Sequence, residues 1–284
     1  MNLPVFANLA EIRGAVAGAR QLGRRIGFIP TMGALHAGHA SLIEAARKET
    51  GFVVVSIFVN PTQFGPKEDF ARYPRTLDSD LELSAGAGAD AVFAPDATLI
   101  YPPGFRTYID VVGLQDVLCG ASRPGHFRGV CTVVSKLFNI VQPDCAYFGQ
   151  KDAQQALILS RMVHDLNVPV EMRVLPTVRE HDGLALSSRN RYLDAEQRRN
   201  APAMWRALQN ARKHIEHGER DPRVIEKALV EELESVPGAR LDFARVVNAD
   251  TLEPPTRITG NILIAVAVFF GSTRLIDNIQ FVVI

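Results

Sequence analysis

The chain has 284 residues and is 47% hydrophobic, so it can bury a large core in one or two domains. Its 31 basic and 31 acidic residues cancel, which excludes a global positive field that would attract nucleic acid or an anionic membrane. The longest apolar run, Ile262 to Phe270, is too short to span a bilayer, and we expect no signal peptide. Three cysteines without a CxxC pair indicate buried thiols in a reducing cytoplasm.

Short apolar runs and amphipathic stretches alternate along the first half of the chain. The pattern predicts strands at 25–30, 52–59, 91–94 and 145–148, and helices at 39–48, 76–87, 130–141 and 152–166. The strand at 52–59 is nearly all apolar and β-branched, which is typical of a strand buried on both faces. This alternation predicts an α/β fold with a doubly wound parallel sheet, whose ligands bind beyond the carboxyl ends of the strands.

The pattern changes after about residue 180. One long, arginine-rich helix is predicted from Asp194 to Gly218, and it contains Trp205, the chain's one tryptophan. A second helix follows from Asp221 to Ser235, and strands are predicted at 241–247, 262–270 and 273–283. We therefore expect two domains, a larger one over residues 1–180 and a smaller α+β domain over residues 181–284.

The segment from Pro30 to His39 carries a His-x-Gly-His motif between the first predicted strand and the first predicted helix. Backbone N–H groups at a helix start lack partners, and the helix dipole there favours anions. His36 and His39, three residues apart, could together donate hydrogen bonds to a phosphate. Gly38 leaves space for a nucleotide against the backbone. The alternative is a capped helix with two exposed histidines, and the preceding strand and glycine-rich turn favour nucleotide binding.

Two side-chain amides, Asn60 and Gln63, follow the buried strand at a proline. Each amide can donate and accept, which suits hydroxyl and carboxylate groups of a substrate. Pro61 would fix the turn that presents them. Because Asn-Pro is also ordinary turn chemistry, the residues alone leave substrate binding and a structural turn equally open.

A second strand-to-helix turn spans Tyr147 to Gln155. Gly149 allows close approach of a ligand to the backbone, and Lys151 offers a point charge for phosphates. Asp152 is either a helix cap or a ribose or metal ligand, and the two roles are compatible. Gln155 falls in the first helical turn near Lys151, whereas the neighbouring Gln154 points elsewhere and is interpreted as structural.

Two basic segments are further candidates for anion binding. Arg123 and His126 lie in a glycine-rich stretch interpreted as a loop before the helix at 130–141, and an ordinary surface loop is an equal alternative. The second segment, residues 186–190, has the sequence Leu-Ser-Ser-Arg-Asn. Its hydroxyls and its arginine, Arg189, suit triphosphate oxygens, although such a segment is unremarkable by itself.

The His-x-Gly-His turn resembles the HIGH-type signature of the nucleotidyltransferase and class I aminoacyl-tRNA synthetase superfamily. Together, the segments PTMGALHAGH, SIFVNPTQF, YFGQKDAQQ and LALSSRN closely resemble the pantothenate synthetase (pantoate–β-alanine ligase) family, in the family's order over residues 30–190. This resemblance implies a Rossmann-like N-terminal domain, a smaller C-terminal lid and a homodimer. It also implies a cytoplasmic enzyme that uses ATP with Mg²⁺ to convert pantoate and β-alanine into pantothenate, AMP and pyrophosphate, without nucleic-acid or membrane partners.

The resemblance also implies roles for individual residues. Catalytic roles fall on His39, assisted by His36, and on Lys151 and Arg189. The implied ATP site comprises Met32, Gly33, Ala34, Leu35, His36, Ala37, Gly38, His39, Gly149, Gln150, Lys151, Asp152, Val178, Leu186, Ser187, Ser188 and Arg189. The implied substrate site comprises Gln63, Gln155, Asn60, Arg123 and His126. Leu186 stands where the family pattern has methionine, an apolar exchange that changes little.

Two other functions share some of these features. A nucleotidyltransferase that stops after forming a nucleotidyl ester would have the same histidine turn but would not need an amine. A nucleotide sensor or RNA-binding relative of tRNA synthetases could use the arginines between Arg189 and Arg212, although the neutral chain favours a solvated helix face. The metal ligands stay open, because the candidates Asp78, Asp80 and Asp152 have no compelling spacing.

Overall fold

The structure is a computed structural model that describes residues 3–66 and 68–284. The chain forms two compact units. The first unit runs to residue 115 and resumes at 123–150 and 154–176. The second unit contains 116–122, 151–153 and 177–284. Two short segments of the N-terminal part, one of them around Lys151, thus cluster with the C-terminal part.

Nine strands and ten α-helices are present in these described residues. In chain order they are β1 (Val5–Phe6), α1 (Leu9–Gln21), β2 (Ile26–Thr31), α2 (Ala37–Glu49), β3 (Phe52–Ile57), α3 (Leu77–Gly86), β4 (Ala91–Phe93), α4 (Ala97–Ile100), α5 (Cys119–Ser122), α6 (His126–Val141), β5 (Cys145–Gly149), α7 (Ala153–Asp165), β6 (Glu171–Leu175), α8 (Ala195–Asn200), α9 (Ala203–Glu216), α10 (Pro222–Glu234), β7 (Ala239–Asn248), β8 (Gly260–Phe270) and β9 (Thr273–Val283).

The first unit is built on a six-stranded sheet with the order β1-β4-β3-β2-β5-β6, in which every pairing is parallel. α1 packs with α6, and α2 packs with α3, so the helices form two groups against the sheet. This architecture confirms the predicted Rossmann-like α/β fold. The strand order reverses between β2 and β5, and a ligand crevice is expected beyond their carboxyl ends, at Thr31 and Gly149.

The centre of this sheet is apolar on both faces, as predicted for β3. Val53, Val54 and Val55 are completely buried, and β2 pairs with β3 from Ile26 opposite Phe52 to Thr31 opposite Ile57. Successive side chains of a strand point to opposite faces, so three consecutive buried valines require a layer on each side. This packing fixes the strand ends from which the site residues emerge.

The second unit contains an antiparallel sheet with the order β7-β8-β9, packed against α9 and α10. Its core includes Leu208, Leu229, Ile264 and Phe270, which are at most 1% exposed. The arrangement confirms the predicted smaller α+β part. The single helix predicted over 194–218 is wrong, because the chain there forms α8 and α9 on either side of residues 201–202. Pro202 has no N–H to donate to the preceding turn, so a continuous helix is unfavourable.

Five elements of the described residues were not predicted from the sequence, namely β1, α1, α4, α5 and β6. For α1 the signal was present, because Asn8 caps the helix by accepting from the Glu11 N–H at 2.9 Å, and Ile12, Val16 and Ala19 form one buried stripe. The strand β6 lies at the edge of the sheet and carries Glu171 among its five residues. A half-exposed edge strand lacks the continuous apolar run that identifies a central one.

The structure also addresses two features that the composition argued against, a membrane-spanning helix and disulfide bonds. Among the described residues, no helix combines the length and the apolar character needed to cross a membrane. Cys119, Cys131 and Cys145 are buried and form no disulfide, as predicted. Burial raises the pKa of the Cys131 thiol to about 12, which keeps it protonated and unreactive.

Candidate active site

The His-x-Gly-His turn begins where β2 ends. The Thr31 hydroxyl donates to the Ser56 carbonyl at 2.7 Å and accepts from the Gly33 N–H at 3.1 Å. Gly33 has φ of +80° and Ala34 has φ of +51°, a left-handed conformation that reverses the chain. A Cβ on Gly33 would lie 2.9 Å from Asp80 Oδ2, so only glycine fits without displacement.

A buried carboxylate, Asp80 of α3, holds this turn in place. Its Oδ2 accepts from the Ala34 N–H at 3.0 Å, and its Oδ1 accepts from the Leu35 N–H at 2.8 Å. The Thr76 hydroxyl also donates to Oδ1 at 3.2 Å, and Asp80 is only 2% exposed. These contacts engage both oxygens with the protein itself, which favours a structural role for Asp80 over the metal-ligand role considered for it.

Replacing Asp80 by asparagine is expected to lower the free energy of unfolding by about 1–3 kcal/mol. The amide NH₂ would face the backbone N–H of Ala34 or Leu35, so a buried donor would lose its acceptor. Urea denaturation of the variant measures this loss. Asp78→Asn, in the same helix but exposed, is the matched control. Equal stability of the two variants would contradict the assigned role.

The two histidines of the motif cap α2 reciprocally. His36 Nδ1 accepts from the Gly38 N–H at 3.2 Å, while His39 Nδ1 accepts from the His36 N–H at 3.3 Å. The two rings are in contact at a tilt, with centroids 4.2 Å apart and an interplanar angle of 42°. The side chains thus lie on the same side of the helix start, and both are half-buried.

These caps determine which ring nitrogens carry protons. A nitrogen that accepts a backbone N–H has no proton of its own, so each neutral ring is protonated at Nε2. Each histidine is therefore fixed through Nδ1 and has a donor at Nε2. Donors held in place beside a helix N-terminus suit an anion whose negative charge increases during reaction. The predicted helix capping and the predicted anion site are thus compatible.

The Asn60 side chain forms several hydrogen bonds that hold the turn after β3. It is 1% exposed, and its amide donates to Gln63 Oε1 at 2.9 Å and to the Gly129 carbonyl at 3.1 Å. Its carbonyl oxygen accepts from the Tyr101 hydroxyl at 2.9 Å and from Thr62. These bonds occupy the Asn60 side chain within the protein, which favours positioning of Gln63 over direct substrate contact.

Gln63 lies beside the histidine turn. Its Nε2 donates to Met32 Sδ at 3.1 Å, and its side chain is 8% exposed. A thioether is a weak acceptor, so a substrate carboxylate or hydroxyl would be a stronger partner for this N–H. The structure therefore brings together Met32 and Gln63, two residues of the predicted site that lie 31 positions apart in sequence.

Arg123 and His126 brace the backbone of Gln63. The Arg123 guanidinium binds both oxygens of Glu68, at 2.8 and 2.6 Å, and contacts His126 Nε2 at 3.0 Å. Because a guanidinium can only donate, Nε2 accepts, and His126 Nδ1 carries the proton that it donates to the Gln63 carbonyl at 2.8 Å. In this structure the carboxylate bound by Arg123 is that of Glu68.

The expected loop around His126 is wrong in part, since α6 begins at His126. The first turn of α6 approaches residues 61–63 so closely that a Cβ on Gly129 would overlap the Thr62 carbonyl. Gly129 therefore permits the helix and the amide turn to touch. The pattern predicted this helix only from residue 130, because glycine and charged residues mask its first turn.

The end of β5 forms the other side of the crevice expected in the first unit. Apart from Gly149 and its two chain neighbours, no described residue has an atom within 4 Å of the position that a Gly149 Cβ would take, so the backbone is open to a ligand. Gln150 follows it, and Gln155 lies half-buried in the first turn of α7. Gln154 donates to the Leu114 carbonyl at 2.9 Å, consistent with its predicted structural role.

A cavity of ≈ 350 Å³ lies at the carboxyl ends of β2, β3 and β4. Met32 and Gly33 form part of its wall, together with apolar residues such as Phe58 and Phe70 and the cation Arg75. The size is suited to a small molecule. The histidine turn thus borders an open space in addition to the crevice expected at the switch point.

Two of the predicted phosphate-binding segments lie in the second unit. Lys151 Nζ is 3.6 Å from Asp152 Oδ1, and these side chains are 21% and 46% exposed. In the other segment, the Leu186 N–H donates to the Val178 carbonyl at 3.0 Å, which joins two residues of the predicted ATP site. The bond closes a tight hairpin, hereafter the 178–186 hairpin.

The Ser-Ser-Arg segment follows this hairpin directly. The Ser187 hydroxyl accepts from the Arg189 N–H at 3.2 Å and caps a 3₁₀ helix over Ser188–Tyr192. Ser188 is 9% exposed, and Arg189 is half-buried. The cap leaves the hydroxyl proton of Ser187 as a donor for an anionic ligand.

Several residues that shape these sites carried no signal in the sequence. Asp80 was considered only as a metal ligand, and Glu68, Arg179, Asp277 and Asn278 were not singled out. Each of these residues makes a hydrogen bond to a residue at least 45 positions away in the sequence. Only the spatial arrangement relates such residues to the site.

Comparison with known proteins gives matches over nearly the whole chain. A family model described as pantoate-beta-alanine ligase matches residues 4–280. A pantothenate synthetase from Moorella thermoacetica is 59% identical over 277 residues, 98% of each chain. The crystal structure of pantothenate synthetase from Thermus thermophilus has 48% identity and a TM-score of 0.92, covering 97% of this chain and 98% of that one. A pantoate-beta-alanine ligase from Francisella tularensis, complexed with beta-gamma ATP and beta-alanine, has 33% identity and a TM-score of 0.79, covering 98% and 97%.

Proposed function

Because the chain belongs to the pantoate–beta-alanine ligase family, we propose that it condenses pantoate with β-alanine at the expense of ATP. The products are pantothenate, AMP and pyrophosphate, and the intermediate is a pantoyl-adenylate. Among the site residues, the observation that best supports this proposal is the adjacent pair of His36 and His39 at the start of α2, in which both Nδ1 atoms accept capping hydrogen bonds. The ligands of the Francisella tularensis structure, beta-gamma ATP and beta-alanine, support ATP and β-alanine as substrates here.

In the first step, the pantoate carboxylate attacks the α-phosphorus of ATP, and pyrophosphate leaves. The carboxylate is already ionised at neutral pH, so no general base is needed. The protein contributes positioning and stabilisation of negative charge. His39, assisted by His36, donates from Nε2 to the reacting phosphate, while Lys151 and Arg189 bind phosphate oxygens. The backbone of 32–39 and 149–152, with Val178 and residues 186–188, completes the ATP site.

In the second step, the neutral amine of β-alanine attacks the acyl carbon of the adenylate, and AMP leaves. Gln63 and Gln155 orient pantoate through both steps, because a side-chain amide can bind hydroxyl and carboxylate oxygens together. Asn60, Arg123 and His126 act on substrate binding through Gln63, whose side chain and carbonyl they hold. No covalent enzyme intermediate is required, so no Ser–His–Asp or Cys–His arrangement is needed.

Mg²⁺ enters this proposal with ATP. In the described part of the chain, no group of three or more His, Cys, Asp or Glu side chains could hold a metal ion. Such a group is not needed, because Mg²⁺ often keeps several waters and binds through one or two carboxylates and the substrate phosphates. The half-exposed carboxylate of Asp152 fits that role, and the ion would neutralise phosphate charge.

Gln63→Ala is expected to raise the dissociation constant for pantoate roughly tenfold, the usual worth of about one hydrogen bond. The affinity for ATP should change much less, because the bond of this amide to the proposed ATP site is the weak one to the Met32 thioether, and Asn60, which the amide also contacts, lies outside that site. Isothermal calorimetry with each ligand measures both constants. Gln21→Ala, an exposed glutamine at the end of α1, is the control. An unchanged pantoate constant would contradict this role.

The test of the overall function measures pyrophosphate and AMP with ATP, Mg²⁺ and pantoate, with and without β-alanine. Multiple-turnover AMP formation only with all components, with pantothenate appearing in step, is expected. Multiple-turnover pyrophosphate release without the amine would favour a nucleotidyltransferase instead. No product under any condition would favour a nucleotide-binding module.

We also propose a cytoplasmic homodimer without nucleic-acid or membrane partners, as the family resemblance implies. Two of the arginines considered for RNA binding are paired with carboxylates, Arg198 with Glu180 and Asp182 and Arg212 with Glu216. These pairs favour the absence of a nucleic-acid partner. Light scattering tests the dimer. RNA binding at low salt would contradict the proposal that the protein has no nucleic-acid partner.

A further inference from the structure

Two adjacent polar residues are buried in β9, within the otherwise largely apolar core of the second unit. Asp277 is 4% exposed and Asn278 is 5% exposed. Burying a carboxylate and an amide in a sheet is unfavourable unless both are hydrogen-bonded. The partners of these two side chains therefore indicate why the strand carries them.

Asn278 binds the lysine loop. Its Nδ2 donates to the carbonyl of Lys151 at 2.9 Å, a contact between residues 127 positions apart. The bond is part-buried and fixes the backbone from which the Lys151 side chain projects. It also agrees with the grouping of residues 151–153 in the second unit.

Asp277 holds the 178–186 hairpin through Arg179. The guanidinium makes a bidentate pair with the Asp277 carboxylate, at 2.7 and 2.9 Å, and donates to the Gly183 carbonyl at 3.0 Å. Its face also stacks on Trp205, 3.5 Å from the ring centroid. Both ends of the guanidinium group are thus fixed, which makes the hairpin a rigid element.

The Asp277 carboxylate depends on Arg179 for its burial in the strand. Burial raises the pKa of the Asp277 carboxyl, and the hydrogen bonds and the charge of Arg179 oppose that rise. The bidentate pair therefore offsets part of the cost of burying the carboxylate, and it joins β9 to the 178–186 hairpin.

We infer that Asp277 and Asn278 are positioning residues for triphosphate binding, and that they hold the Lys151 loop and the 178–186 hairpin in register with each other. The inference rests on the proposed function, in which Lys151 and the Leu186–Arg189 segment bind ATP. Neither residue touches the nucleotide in this scheme. Their effect is exerted through the Lys151 carbonyl and through Arg179.

The test compares Asn278→Ala with Asn261→Ala, a half-buried asparagine on the neighbouring strand β8 whose amide contacts Asp250. Calorimetry gives the dissociation constants for a non-hydrolysable ATP analogue and for pantoate. For Asn278→Ala we expect the constant for the analogue to rise about tenfold, as for loss of one buried hydrogen bond, while that for pantoate stays unchanged. Asn261→Ala should match the wild type for both ligands.

Wild-type affinity for the analogue in Asn278→Ala would overturn the inference, and so would an equal loss for both ligands, which indicates general damage to the fold. If Asn278→Ala does not fold, Asn278→Ser gives the same comparison, since its hydroxyl is too short to reach the Lys151 carbonyl. Calorimetry with the non-hydrolysable analogue measures binding and does not depend on catalytic turnover. A wild-type protein that binds the analogue but makes no pantothenate would therefore count against the proposed function and leave this comparison intact.

Discussion

His39→Ala is expected to slow the adenylation step by roughly 10²–10³-fold, the usual effect of losing one donor to a developing negative charge. His39 Nδ1 accepts from the His36 N–H, so its Nε2 carries a proton that can be donated to the α-phosphate. The interaction is strongest in the transition state, so the ATP dissociation constant should change much less than the rate. Single-turnover pyrophosphate release with saturating ATP and pantoate measures the step.

The alanine variant also removes a helix cap, worth about 1 kcal/mol, so a control must separate capping from catalysis. His39→Asn does so, because the asparagine oxygen can accept the His36 N–H in place of Nδ1 while no donor reaches the Nε2 position. We expect His39→Asn to keep the wild-type melting temperature and to lose activity as severely as His39→Ala. His39→Gln, whose amide reaches the Nε2 position, should regain part of the rate. Near-normal adenylation in His39→Asn would refute the catalytic assignment.

Lys151→Met is expected to reduce adenylation by a similar factor, roughly 10²–10³-fold, through loss of a positive charge at the phosphates. Methionine has nearly the length of lysine but no charge, so the packing of the side chain is retained. The carbonyl of residue 151 still accepts from Asn278, so the loop should keep its position. Unlike His39→Ala, this change should also weaken ATP binding, because in the proposed site the ammonium attracts the triphosphate before reaction as well as during it.

The control for this variant is Lys213→Met, at an exposed position in the last turn of α9. Both variants lose one positive charge from the second unit. A difference in rate or ATP affinity between them therefore depends on where the charge was lost and not on the net charge. We expect Lys213→Met to match the wild type in rate and in ATP affinity. If Lys151→Met stays within about threefold of Lys213→Met, the charge of Lys151 has no role in phosphate binding.

The sequence by itself determined the fold class and the order of the motifs. Local patterns sufficed, because the buried strands β2 and β3 are continuous apolar runs, and the amphipathic helices between them repeat at helical spacing. The His-x-Gly-His turn was recognisable for the same reason, since a strand end, a glycine and a helix start are adjacent in the chain. The boundary between α8 and α9 was also encoded locally, in Pro202, and the single-helix prediction overlooked it.

Only the tertiary structure decided how the motif residues are held. Asp80 fixes the histidine turn from 45 positions away, and the Arg123–Glu68 pair braces Gln63 through His126. Asn278 reaches Lys151 across 127 positions. The physical reason is that a hydrogen bond depends on distance and direction in space, and packing of remote elements sets both. The sequence could name the groups suited to bind phosphate, but their tautomers, their supports and their neighbours arise only when the chain is folded.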